Sequence, residues 1–258
     1  CGDQCVDTNV HPLHCGGCNN VCPSGICQMG ECVGATTGHV ATYCLDYVYA
    51  RQQSAHTILL GNAIFLPIRN EIRILAFSRW APSSVRTQVG RVIQWSATAR
   101  GRTFTLTNVT APAELSAQLS IQNYDVFLIY DQSAAPPGEL ATVGQSWQNS
   151  MVLEAFARAG GVIVVLDGAQ GTGEMAEFID QAGLLELNGH TPIAPEDTTT
   201  RFFNRAPGDA LGINVVSPLS PVPNSCTFDT PVAPSSESVF VITDDANTPV
   251  VVHRIVAP

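Results

Sequence analysis

The sequence predicts an α/β fold: a doubly wound, mostly parallel sheet, preceded by a small disulfide-rich module and closed by a β-hairpin. Three observations predict it. Short apolar runs alternate with helical patterns over residues 39–182, seven of the nine cysteines crowd between Cys1 and Cys32, and two β-branched runs flank a turn at the end of the chain. Apolar runs that are continuous rather than alternating mean strands buried on both faces, as in a parallel sheet covered by helices. A chain of 258 residues, 45% of them hydrophobic, can bury such a core and still carry a small appendage.

The elements follow in order. Residues 39–45 (HVATYCL) read as a short strand, and 54–66 as an apolar helix. Residues 73–77 (RILAF) form a buried strand. Val85, Val89, Val92 and Ile93 then recur at helical spacing, on a helix begun at Ser83 or Ser84. Residues 103–106 give a strand, and 113–119 a helix with Thr110 as its N-cap. Residues 125–130 (DVFLIY) are a further continuous strand. Residues 147–158 place Trp147, Met151, Val152, Ala155 and Phe156 on one helical side, and Gly160 and Gly161 end that helix. Residues 162–166 (VIVVL) are the fifth strand, and a helix capped by Thr172 runs to about Ala182 and stops at Gly183. With right-handed crossovers these strands give a flavodoxin-like sheet. Residues 193–236, rich in Pro, Ser and Thr, suit lying across a neighbour, and a hairpin over 239–256 turns at 244–247.

Cysteine density gives the compartment. Residues 1–34 form a unit too short to bury a core, so cross-links hold it, and residues 35–38 are small and polar enough to be a linker to the domain over 39–258. Cys15-Gly-Gly-Cys18 beside His11 and His14 raises a zinc site, but a structural zinc site usually needs two such pairs and one CxxC is present. The turn formers around it fit disulfides among Cys5, Cys15, Cys18, Cys22, Cys27 and Cys32. Disulfides require an oxidising compartment, so the expected location is extracellular or at the cell surface. Nine cysteines cannot all pair within one chain. Cys1 is therefore a lipidated terminus, a bridge to another chain, or the partner of a cysteine in a segment outside this sequence. A Cys44–Cys226 bridge would close a loop worth about 5 kcal/mol of chain entropy.

The opening string CGDQCVDTNVHPLHCGGCNNVCPSGICQMGECV resembles the cysteine-rich repeat of the stigma-specific-protein family. Cys1, Cys5, Val6, Asp7, His14, Cys15, Gly16, Cys18, Cys22, Cys27 and Cys32 carry the likeness. It implies extracellular placement and says little about chemistry.

Charge excludes one class of partner. All 12 basic residues are Arg, they are scattered, and the net charge is −10. Nucleic acid needs a concentrated basic face, so it is not expected. A membrane would be engaged only through a lipid on Cys1. The remaining partners are further copies of the chain, other surface proteins or glycans, and no cofactor or metal is implied.

Candidate site residues follow from the sheet. Ligands in open α/β sheets sit outside the carboxyl ends of the strands. That rule nominates Asp46, Ser78 and Arg79, Asp131 and Gln132, and the Gly-rich turn Asp167-Gly168-Ala169-Gln170-Gly171. The stretch from YDVFLIYD to VIVVLDGAQGTGE, with the closing hairpin, resembles the class I glutamine-amidotransferase-like fold. The resemblance implies a nucleophile elbow after the fifth strand, yet residues 166–171 hold no Cys, Ser or Thr. Neither His190 nor His253 has a Glu two residues on, so the catalytic triad of that family is not supported. Asp46, Arg79, Gly168, Gln170 and Gly171 remain as ligand-binding candidates, and Asp131 with Asp167 as an acid–base pair. The glycine-rich loop reads first as a tight turn, and His39, His56 and His190 read as isolated structural histidines. Asn108-Val109-Thr110 is a glycosylation sequon. The expected function is a non-catalytic structural, adhesive or assembly subunit on a pseudoenzyme scaffold. The alternative is a surface hydrolase built on Asp131 and Asp167.

Overall fold

The computed structural model describes residues 6–11, 14–18, 27–32, 37–194 and 199–258. The small module contributes β1 (Cys27–Gln28) and β2 (Glu31–Cys32), paired antiparallel with Cys27 opposite Cys32. Cys15 and Cys18 are disulfide-bonded, in line with the cross-linked reading of the module. Cys1, Cys5, Cys22 and residues 35 and 36 of the linker lie outside the described residues.

The domain begins with β3 (Gly38–Tyr43), α1 (Ala55–Ile64), β4 (Glu71–Phe77), α2 (Ser83–Arg100) and β5 (Thr103–Val109). Then come α3 (Leu115–Gln118), β6 (Val126–Ile129), α4 (Glu139–Ser150), α5 (Val152–Arg158), β7 (Val162–Leu166) and α6 (Met175–Gln181). Short strands β8 (Gly189–Pro192), β9 (Phe203–Asn204) and β10 (Cys226–Asp229) precede the hairpin β11 (Ser238–Thr243) and β12 (Pro249–Val256). The sheet runs β5-β4-β6-β7-β3-β12-β11-β9, with its first five strands parallel and its last three antiparallel. Strands β4 to β7 thus follow the flavodoxin-like order, and β3 fills the place of the fifth strand although it comes first in the chain. Every residue of β6 and β7 is buried, as continuous apolar runs require.

Local signals placed several boundaries well. Ser54 caps α1 by accepting from the Thr57 amide at 3.3 Å, and Gly183, at φ +68°, ends the segment after α6. Three expectations need correction. Thr110 is not a cap: Pro112–Glu114 form a 3₁₀ turn leading into a four-residue α3. The helix expected over 147–158 is two helices, α4 starting at Glu139 and breaking where Met151 takes φ +56°. Thr172 is not a cap either, since α6 begins at Met175 behind Glu174, with no side-chain cap bond. Where residues 193–236 are described, Phe202, Leu211, Leu219, Cys226 and Phe228 are buried in their own domain. Among the described residues, no helix is long and apolar enough to cross a membrane.

Two polar devices fix the antiparallel half. Cys44 and Cys226 are bonded at a sequence separation of 182, and the Cys226 amide donates to the Cys44 carbonyl at 2.9 Å. Across β3 and β12, the ring nitrogens His39 Nδ1 and His253 Nε2 lie 2.9 Å apart, and His253 Nδ1 meets Asp209 Oδ2 at 2.8 Å. His39 is therefore not isolated but the outer member of a chain of three groups. Burial and the neighbouring His253 lower the His39 pKa to about 4, and burial alone lowers that of His56 to about 4.

Both devices can be tested by unfolding. Between about pH 6.5 and 4 the unfolded chain takes up protons on both histidines that the folded chain refuses, so the contribution of these two groups to stability is lost as pH falls through that window. The loss is on the order of 3 kcal/mol for each histidine. Urea unfolding of wild type and His56→Leu side by side at pH 7, 5 and 4 measures it: on going from pH 7 to 4 the variant should lose about 3 kcal/mol less than wild type. Replacing Cys44 and Cys226 together with Ala should cost about 5 kcal/mol in the same assay.

Candidate functional site

The carboxyl ends of β3, β6 and β7 deliver Asp46, Asp131 and Asp167 into one buried neighbourhood, as the strand-end rule expects. Asp46 accepts from the Val48 amide at 2.9 Å, Gln170 Nε2 at 2.5 Å and Asn224 Nδ2 at 3.0 Å. Burial raises its pKa, and those three donors partly offset the rise. Asp167, wholly buried, accepts from the Ala169 amide at 2.8 Å and meets His190 Nδ1 at 2.6 Å. Burial alone would lower the His190 pKa, but its bond to Asp167 and the charge of that carboxylate raise it. His190 is therefore the second correction to the isolated-histidine reading.

Asp131 is the anomaly. It is 4% exposed, and neither carboxylate oxygen has a hydrogen-bond partner. Burial, then the charges of Asp167 and Asp46, push its pKa up to about 8, against the opposing pull of nearby Ser133. Asp131 thus holds its proton at neutral pH, beside the Asp167 carboxylate.

The glycine-rich turn is packed rather than open. A Cβ on Gly168 would stand 2.8 Å from Asp131 Oδ2 and 3.4 Å from the Asp46 Cβ, so only glycine lets the turn pass between the two carboxylates. Gly171, at φ +68°, rests against the Ser133 carbonyl, where a Cβ would clash. Gln170 spends its amide on Asp46. These three ligand-binding candidates are occupied within the fold. Arg79 does not join the site: it is exposed, with its guanidinium 4.6 Å from the Trp80 ring centre.

Gln132 occupies the other place a ligand would take. The outgoing connections of β4 and β6 diverge there, making the crevice between those two strand ends the switch point of the sheet. Gln132 is wholly buried across it, donating to the Phe77 and Tyr130 carbonyls at 3.0 and 2.9 Å and accepting from the Trp80 amide at 2.9 Å. Open space lies to the sides. A cleft of about 500 Å³ is lined by Thr172, Gly173, Glu177 and His190, with His190 Nε2 turned toward Gly173. A second, of about 780 Å³, lies between His56 and the prolines 218, 221 and 223. The cavity beside Asp125 is at the amino ends of the strands, where Arg69 and Arg73 pair with that carboxylate.

Sequence reasoning missed His190 and Asn224 as partners in the site. His190 comes well after Asp167 in the chain, on a strand of no distinctive pattern. Asn224 carried a usable signal: it precedes Cys226 by the same two residues by which Asp46 follows Cys44, so the expected bridge brings the two side chains together. Asn108 of the sequon is exposed on the edge strand β5, and Asp244 closes the hairpin turn by accepting from the Thr248 amide.

The geometry defines a mostly parallel α/β domain with a plugged switch point and a buried Asp–His pair. No protein-family model matches the chain, and no curated protein matches it either.

Ionising Asp131 opposes folding, because the unfolded chain releases that proton near pH 3.8 and the folded chain only near pH 8. Stability therefore falls as pH rises through that interval, by on the order of 4 kcal/mol at pH 7. Asp131→Asn should unfold at higher temperature than wild type at pH 7–8 and lose the difference near pH 4, as calorimetry across pH would show.

Proposed function

We propose that the chain is a non-catalytic extracellular or cell-surface protein, a structural, adhesive or assembly subunit on an α/β scaffold. One observation carries this reading: both places where such a sheet would receive a ligand are filled by its own side chains. Gln132 spans the β4–β6 crevice, and Gln170, Asp46, Asp167 and His190 satisfy one another at the β3–β7 end. The disulfides support export, since they persist in oxidising compartments. The likeness of residues 1–34 to the stigma-specific repeat supports the same location, and the amidotransferase-like pattern supports a scaffold that has kept its frame without the elbow nucleophile. Its partners are further copies of the chain, other surface proteins or glycans.

One observation favours the hydrolase reading. Asp167 holding His190, whose other nitrogen faces an open cleft, is the orienting half of a general-base arrangement.

The test pairs light scattering on the natively purified chain with a panel of chromogenic esters, amides, phosphates and glycosides. We expect a mass above the 27.4 kDa monomer and no turnover. A monomer that turns over one of these substrates, and stops when His190 is changed to Gln, would establish the hydrolase instead.

A further inference from the structure

Four donor atoms of three elements meet beside the plugged strand ends. The sulfurs of Cys44 and Cys226, a carboxylate oxygen of Asp167 and a ring nitrogen of His190 all lie within 4.8 Å of one another. The two cysteines and Asp167 are wholly buried, and the His190 side chain is 8% exposed.

Backbone hydrogen bonds, in addition to the disulfide, hold these residues in place. The Cys44 amide donates to the Val250 carbonyl at 2.8 Å, the Cys226 amide to the Cys44 carbonyl at 2.9 Å, and the Asp167 amide to the Tyr43 carbonyl at 2.8 Å. His190 stands on β8 opposite Phe228 of β10, two residues beyond Cys226. Breaking the disulfide therefore leaves four ligand-bearing residues on one hydrogen-bonded frame. Two sulfurs, one imidazole and one carboxylate are the donor types that zinc takes in four-coordinate sites.

We propose that, once the Cys44–Cys226 bond is reduced, these four residues form a closed tetrahedral site for a zinc-class divalent cation. The site is an alternative to the disulfide at the same position and goes beyond the proposed function. A dithiol reductant transfers two electrons and two protons to the bond and leaves as its own disulfide, giving two thiols. The cation then displaces both thiol protons to solvent, and two thiolates with the Asp167 carboxylate surround it at net charge −1. His190 binds through one ring nitrogen and keeps its proton on the other. The sulfurs must open to roughly 3.8 Å, the separation set by two 2.3 Å bonds at a tetrahedral angle, which side-chain rotation supplies.

Peptide-level alkylation separates this site from the cysteines of the N-terminal module. The full chain is reduced with dithiothreitol and desalted without oxygen. It is then treated with a thiol alkylator in the presence of zinc or of a chelator, and each cysteine is read by mass. We expect zinc to protect Cys44 and Cys226 together in wild type and to leave both reactive in His190→Gln, which retains both sulfurs. Cobalt in place of zinc should give tetrahedral thiolate absorption in wild type that is reduced in that variant. Equal alkylation of the two cysteines with zinc and with chelator overturns the proposal. So does protection that survives His190→Gln, or a bond that yields to the reductant only as the circular dichroism of the fold is lost.

Discussion

The bond between Cys44 and Cys226 is the constraint on which the rest of this structure most depends. It ties the end of the first domain strand to a segment 182 residues later, across nearly the whole domain. The segments between β7 and the closing hairpin are otherwise held by short ladders, such as the two-residue pairing of β9 with β11 and the four-residue pairing of β8 with β10. With the bridge in place, Asn224 reaches Asp46, β10 carries His190 toward Asp167, and the late segment becomes part of the core. A long loop is costly to close by weak contacts alone, and a covalent link lowers that cost by restricting the unfolded chain.

That closure buries charge, and the strand ends show how the fold manages it. Three carboxylates would repel one another in a medium that screens poorly. Asp46 is met by three donors, Asp167 by an amide and His190, and Asp131, with no donor, retains its proton. The same solution recurs at the far end of β3, where Asp209, His253 and His39 share two contacts in a row and the outer imidazole is held neutral. At both ends of β3, the carboxylates that do find partners find them largely among the domain's own amides and imidazoles.

Much of the site was visible residue by residue, and less of it as a constellation. Asp46, Asp131, Gln132, Asp167 and Gln170 are found by asking which polar residues follow apolar strands, because chain order fixes the carboxyl end of each strand. Arg79 meets the same rule, yet stacks on Trp80 at the surface. The rule knows the end of a strand but not the direction a side chain takes in the loop beyond it. Gly168 and Gly171 stood out as a flexible turn, and only the neighbouring Asp131 and Ser133 show that they are glycines for want of space.

The sequence by itself determined the α/β class, the five central strands, the closing hairpin and the pairing of two distant cysteines. Those properties rest on local periodicity, cap chemistry and the arithmetic of cysteines, which act over a few residues or leave few alternatives. Only the tertiary structure decided that β3 takes the fifth place in the sheet, that Phe202, Leu211, Leu219 and Phe228 pack inward, and that His190 and His39 are linked rather than alone. Each of these depends on contacts between segments far apart in the chain. Their strength comes from burial and from the exclusion of water, which no stretch of sequence carries on its own.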